Sequence, residues 1–372
     1  MKNGKLIIAS LVVLFGFLIQ CKEKPIETSP DNYDRKGLLT NMAANYIVPA
    51  YANFQNQTSK LKALVIIFMD DLNEPNLENC QNQWKKTALA WQDIAMIEFG
   101  PAESVSLRSQ INIYPTDTIL IKSNISTGMY DLQLPSNFDA KGLQALDYLL
   151  FLPAFSNEEI VTYYIDNENA KSYIYSLVNE LNTLATNVHY EWNYTYINTF
   201  ISNNESNATG SSIGIMVNAL SLHYEAFVRK GKVAIPLGVF NGISKEIMPS
   251  HVEGFYSDYS IDLALNEMEA LLNYVNGVSY TSSTNGEGLD DYLDFVGAKK
   301  SGKNLSLAIT EKINAIKTSI NATGTSLKNA IVDNNSSVHT LYESMQQLVP
   351  LLKVDMTSAM GVLISYSDSD GD

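Results

Sequence analysis

The sequence predicts an all-α protein built as two helical-bundle halves with long irregular insertions. Three observations carry that reading. Apolar residues recur with a period near 3.6 along almost the whole chain. They make up 45% of its 372 residues, enough for a sizeable core and for about two domains. A polar break, Asn-Asn-Glu-Ser-Asn-Ala-Thr-Gly-Ser over residues 203–211, falls near the middle. The expected division is therefore residues 35–204 and 205–372, two bundles meeting near residue 205.

In chain order, Ala43, Tyr46, Ile47, Ala50, Phe54, Leu61, Val65 and Phe68 trace one face of a first helix. Pro49 is expected to kink or break it. Asn73-Glu74-Pro75-Asn76 reads as a turn, and residues 77–99 as a second helix closed by Gly100-Pro101. Trp84 and Trp91 share its apolar face and are expected in the core. Residues 101–137 read as a long irregular connection with Pro115, Gly128 and Pro135; loops of that length tend to be functional. Residues 141–151 form a short helix with Asp139 as its expected cap. Residues 158–201 and 212–230 read as helices, and 231–254 as irregular. Helices resume at 258–276, 288–296, 303–320 and 337–360, the last in phase despite Pro350. Only residues 362–366 read as a strand.

The formal net charge of −15 argues against a nucleic-acid partner, which needs a basic stripe to meet phosphates. Two cysteines exclude a disulfide framework and any Cys-rich zinc or iron–sulfur module. The chain opens with a basic Met1-Lys2-Asn3-Gly4-Lys5. An apolar run over residues 6–19 follows, too short for a stable membrane span and suited to a signal peptide. It ends in Leu18-Ile19-Gln20-Cys21, the pattern of a bacterial lipoprotein signal. Residues 1–20 are thus expected to be removed, Cys21 to be lipidated, and residues 21–34 to tether the body to a membrane. This places the protein at the bacterial cell envelope, with the outer membrane as the expected anchor and the body facing the periplasm or the surface. Cys80 is then the only free thiol. It shares helical spacing with Leu77, Trp84, Ala88 and Trp91, which reads as a buried small hydrophobe.

Familiar catalytic motifs are missing. The sequence has no Gly-rich phosphate loop, His-Glu-x-x-His, Gly-x-Ser-x-Gly or Cys-x-x-Cys. Three of its four histidines, His189, His223 and His251, stand in His-x-Glu triplets with Glu191, Glu225 and Glu253. Residues two apart on a helix diverge, so such a triplet cannot chelate one ion there. Asp368-Ser369-Asp370-Gly371-Asp372 resembles the start of a calcium loop but lacks the downstream Glu, and reads as a solvated acidic tail.

Several segments stand in a telling order. Val48-Pro49-Ala50-Tyr51 leads through Trp84 and Trp91 to Phe99-Gly100-Pro101, then Arg108, Ile111 and Tyr114-Pro115, then residues 142–151. Residues 232–238, 257–260, 288–293 and 348–372 continue the series. Over residues 35–372 this order resembles the imelysin family (peptidase family M75). The resemblance implies an all-helical fold of two bundle-like halves with a site in the cleft between them. It also implies an envelope location and an association with iron, and one branch resembles components of ferrous-iron uptake. Founding members were described as metallopeptidases.

The family signature Gly-x-His-x-x-Glu falls on Gly142-Leu143-Gln144-Ala145-Leu146-Asp147, with Gln for His and Asp for Glu. Positions three apart share a helix face, so Gln144 and Asp147 can converge on a ligand or a metal. An amide–carboxylate pair suits harder ions than an imidazole–carboxylate pair does. Gln144 cannot carry a proton near neutral pH, and a zinc hydrolase needs three protein ligands. An active peptidase is therefore not expected. The plainer reading makes the two a hydrogen-bonded pair fixing the short helix against the long loop. Arg108 and Tyr114 stand where the resemblance places an Arg and a Trp before Pro, and Arg108 can clamp a carboxylate or pin the loop. Ser257 and Ser260 are cleft candidates from the second half. The resulting expectation is a metal- or small-ligand-binding lipoprotein linked to iron uptake. Fe, Ca, Mg or Zn is its candidate ion, and envelope iron-uptake proteins are its candidate partners. The alternatives are a metallopeptidase and a surface scaffold or adhesion protein.

Overall fold

The computed structural model describes residues 32–366. The signal segment, Cys21, most of the tether and the acidic tail lie outside the described residues.

The described chain is helical almost throughout. Its first helix starts at Arg35–Asn41, where the Asp34 side chain accepts the Gly37 N–H. It passes through a π-helical turn, Met42–Ile47, into Val48–Asp70 without a break. Pro49 has no N–H to offer the Asn45 carbonyl one turn back. The Tyr280 N–H fills that place at 2.8 Å, so the expected break does not occur.

The Val48–Asp70 helix packs against Glu74–Gln92 and Glu168–Tyr190 through Phe54, Leu61, Val65 and Phe68, all buried. In the second half, Leu305–Ala322 packs against Ser260–Val275, Leu289–Phe295 and Asn335–Gln346. Helices of the two halves also pack on each other: Ser260–Val275 on Glu74–Gln92, and Arg35–Asn41 on Ser212–Leu222. The buried apolar core runs continuously through both groups. Trp84, Trp91 and Cys80 lie in that core, and burial pushes the Cys80 thiol up to about 12. No helix among the described residues is long and apolar enough to cross a membrane.

Several expected boundaries move. The second helix ends at Gln92, and residues 94–97 continue as buried turns, which helical periodicity alone cannot separate from a helix. Residues 101–137 are not irregular throughout. They hold Pro101–Ser104, Leu107–Ile111 and Thr118–Thr127, the last capped by Asp117. Each is too short to establish a period. Asp139 does not cap the next helix; its carbonyl accepts from Asp117 and Thr116 instead. The 158–201 stretch is interrupted at residues 166–167, where Asn167 caps a new helix. Residues 337–360 divide into Asn335–Gln346, a π turn at Leu351–Met356 and Thr357–Met360. Residues 362–366 pair with no strand. Their backbone is held by the Asn218 side-chain amide, which donates to the Leu363 carbonyl and accepts from the Ser365 N–H. The strands lie elsewhere, in a two-stranded hairpin of Lys299–Lys300 with Lys303–Asn304.

Candidate functional site

Four segments meet in the interior: the Leu107–Ile111 helix with the residues after it, the Gly142–Leu150 helix, the His223–Ala234 π-helical stretch, and residues 253–267. They bring together polar side chains from both sides of residue 205.

Gly142–Leu150 is buried along its whole length, so its polar residues must find partners within the protein. Asp147 is fully buried. Its Oδ2 accepts the Tyr256 N–H at 2.9 Å and its Oδ1 the Ser257 N–H at 3.0 Å. Gln144 Oε1 accepts the Gly254 N–H at 2.9 Å, while its Nε2 donates to Asn112 Oδ1 at 2.8 Å. The pair thus latches the 254–257 segment through three backbone amides. Burial pushes the Asp147 carboxyl up to about 7, against the pull of the Ser257 and Tyr256 donors.

From Gln144 the network runs inward. Asn112 donates to Glu253 Oε1 at 2.8 Å, and Gln92 donates to the same oxygen at 2.9 Å. Lys232 Nζ pairs with Glu253 Oε2, reaches Gln92 Oε1 at 2.7 Å and lies 3.7 Å from Glu267 Oε2. Glu267 Oε1 meets His223 Nε2 at 2.8 Å, and His223 Nδ1 lies 3.2 Å from Arg108 Nη2. Arg108 can only donate, so Nδ1 accepts and Nε2 carries the proton toward Glu267. Burial lowers the His223 pKa, consistent with that neutral form. Burial alone would raise Glu267, but His223, Lys232 and Arg108 together hold it below its ordinary value.

Arg108 stands at the edge of this network. Its guanidinium lies over the Phe227 ring at 3.9 Å and Nη2 donates to the Ala95 carbonyl. Its Nε is buried with no partner. Glu98 is nearby, but its carboxylate accepts the Arg108 backbone N–H. A pocket of about 300 Å³ opens beside Arg108, with Asn112, Tyr114, Phe227, Ile235 and His251 in its walls. Behind it a cavity of about 20 Å³ is lined by Arg108, Tyr114, His223, Lys232 and Glu267. A larger depression of about 420 Å³ lies beside Phe155 and Tyr256. Its cation, Lys328, is already engaged with the Phe255 carbonyl and, at 3.8 Å, with Asp258. We therefore place the candidate site at Arg108.

The six residues singled out in the sequence lie in and around this network. Gln144, Asp147 and Ser257 form the latch. Ser260 binds the Glu253 carbonyl through its hydroxyl at 2.5 Å, and Arg108 and Tyr114 line the pocket. Sequence reasoning did not single out Gln92, Asn112, Lys232 or Glu267. It set His223 and Glu253 aside with their triplets. Within the triplets the neighbours do diverge: Glu225 meets Arg229 and Lys353 while His223 meets Glu267. Their true partners are distant in sequence, and only the buried polar positions on otherwise apolar faces hinted at them.

As a metal centre the arrangement fits poorly. Among the described residues no group of three or more His, Cys, Asp or Glu side chains could hold an ion. The Asp147 oxygens accept backbone amides, and Glu253 and Glu267 are already engaged with Lys232.

The latch has a measurable worth. Asp147→Ala strands the Tyr256 and Ser257 N–H groups in the interior and is expected to cost about 2–4 kcal/mol. A carboxyl whose folded pKa is raised keeps its proton where the unfolded chain has lost it, so its contribution declines as pH rises from about 4 to about 7. The penalty of the substitution should therefore be larger at pH 5 than at pH 8 in urea titrations. A penalty that grows with pH would contradict the assignment.

Comparison with known proteins gives a consistent picture. The family model for imelysin, a peptidase M75 model, matches residues 47–354. No curated protein matches the chain. Solved structures that share the fold include the following two. An imelysin-like protein from Psychrobacter arcticum 273-4 superposes with a TM-score of 0.68 at 16% identity, covering 89% of this chain and 97% of its own. A protein from Parabacteroides distasonis ATCC 8503, named as an iron-regulated protein A precursor, gives 0.72 at 18% identity, covering 90% and 97%.

Proposed function

The chain belongs to the imelysin family, and from that premise we propose that it is a non-catalytic, iron-linked binding protein of the bacterial cell envelope, lipid-anchored at Cys21. It takes a small ligand in the pocket at Arg108. The single observation that carries this is a pocket of about 300 Å³ with Arg108 in its wall, whose guanidinium forms no ion pair with any carboxylate among the described residues, backed by a hydrogen-bonded network. Such a wall is pre-organised for recognition. The iron link rests on the neighbour named as iron-regulated and on the family. The anchor rests on the Leu18-Ile19-Gln20-Cys21 segment.

A peptidase reading finds less support. Gln144 has no proton to move, and Asp147 is occupied by two backbone amides. Purified protein is expected to leave denatured casein intact, and dialysis against EDTA is expected to leave its Tm unchanged. Chelator-sensitive cleavage that disappears in Asp147→Ala would overturn the non-catalytic reading. Mass spectrometry of the envelope-derived chain tests the anchor separately, through the acyl mass on Cys21.

A further inference from the structure

We infer that the ligand is a small organic carboxylate, seated with its charged group on Arg108 and its apolar body against Phe227 and Ile235; this rests on the ligand-binding reading above. The charge arrangement leads there. Lys232 contacts both Glu253 and Glu267, and Glu225 has Arg229 and Lys353, whereas Arg108 feels Glu98 and Glu267 only from beyond ion-pair distance. Among the described residues no carboxylate forms an ion pair with the Arg108 guanidinium. Its side-chain neighbours are a neutral imidazole, a carbonyl and a ring.

An unpaired, partly buried guanidinium is costly, and burial pulls its pKa down. A bound carboxylate lowers that cost by direct charge pairing with the guanidinium, through donors that Nη2 does not already commit to the Ala95 carbonyl and His223 Nδ1. One water in the inner cavity fits its volume of about 20 Å³ and can satisfy Glu267 Oε2, but it brings no charge to Arg108. The rest of the pocket wall includes Ile113, Ala226, Phe227 and Ile235, which suits an apolar body. A bare divalent cation finds the opposite. It would face the cations Arg108 and Lys232, and Glu253 and Glu267 already engage Lys232.

The test uses the whole chain without its signal segment. Thermal shifts and calorimetric titrations compare acetate, benzoate, phenylacetate and citrate with acetamide, benzamide and phenylacetamide, and with Fe²⁺ and Ca²⁺. An aryl carboxylate is expected to raise Tm and its neutral amide is not. Arg108→Gln is expected to weaken carboxylate binding by on the order of tenfold or more. The contrast between acid and amide is read on the unaltered protein, so it stands even if the variant folds poorly. Amides binding as well as acids, or cations binding while no acid does, would overturn the carboxylate assignment and leave ligand binding intact. No response to any of these probes would overturn both.

Discussion

Lys232→Met is expected to destabilise the protein by about 3–5 kcal/mol, because it removes the cation shared by two buried carboxylates. Lys232 touches Glu253 and stands 3.7 Å from Glu267, and all three side chains are buried. Methionine matches the length of the lysine stem, so the change removes charge while leaving packing largely in place. Glu253 would keep Asn112 and Gln92 as donors, and Glu267 would keep His223. None of these carries the full positive charge that Lys232 brings to the two carboxylates. Glu267 should respond most visibly. Its pKa is held low with Lys232 among the causes, so its contribution is present above the ordinary carboxylate range and lost as pH falls. In the variant that range should move up, and the protein should unfold at a higher pH on acidification. Replacing Glu253 and Glu267 by Gln in the same background should recover most of the loss, since a neutral network carries no uncompensated charge. Urea midpoints followed by circular dichroism decide the matter. A single variant within about 1 kcal/mol of the parent would mean that the lysine is not the charge that balances this network.

The sequence made one layer of this molecule readable and hid the next. Helical character was legible because Ala43, Tyr46, Phe54, Leu61 and Phe68 keep one face apolar over many turns, and that face is the buried one. Breaks were less legible where both sides of a boundary are buried, as at Ile94–Ile97, since burial erases the alternation that a period needs. That Pro49 does not end the helix was hidden for a related reason: the donor that satisfies the Asn45 carbonyl is Tyr280, far along the chain. At the site, the shared face of Gln144 and Asp147 followed from helix geometry alone. That this face meets the amides of residues 254–257 did not, because a loop leaves no periodic trace. His223 illustrates the limit most clearly. Its local neighbour Glu225 suggested a pair that helix geometry forbids, while its actual partner Glu267 lies on a different helix. Local spacing can exclude a chelate, but only tertiary packing can create an ion pair between helices.

Gly142→Ala is the second substitution with a large expected effect, and it ties the signature glycine to the pocket. Gly142 opens its helix at a φ of +77°, a conformation costly for any residue with a side chain. A Cβ built there would lie 2.2 Å from the Ile111 carbonyl oxygen and 2.6 Å from its carbon. Both are backbone atoms, so no side chain can swing aside to make room. Either the Gly142–Leu150 helix lifts away or the Leu107–Ile111 helix retreats. Asp147 and Gln144 hold the first in place through three amides, which leaves the second as the softer element. Arg108 lies on that second helix and Asn112 immediately after it. The expected loss is therefore about 3 kcal/mol or more in stability, with weaker carboxylate binding among the molecules that remain folded. Gly210→Ala supplies the control. A Cβ at Gly210 would meet no heavy atom within 4 Å, and its φ is not left-handed, so its substitution should fall within about 0.5 kcal/mol of the parent. If Gly142→Ala melts alongside Gly210→Ala and binds benzoate equally well, the close approach of the two helices is wrong. If it is destabilised yet binds with unchanged affinity, the glycine serves the fold alone. A joint loss would show that one glycine lets the signature helix and the Arg108 helix touch, and that the pocket depends on that contact.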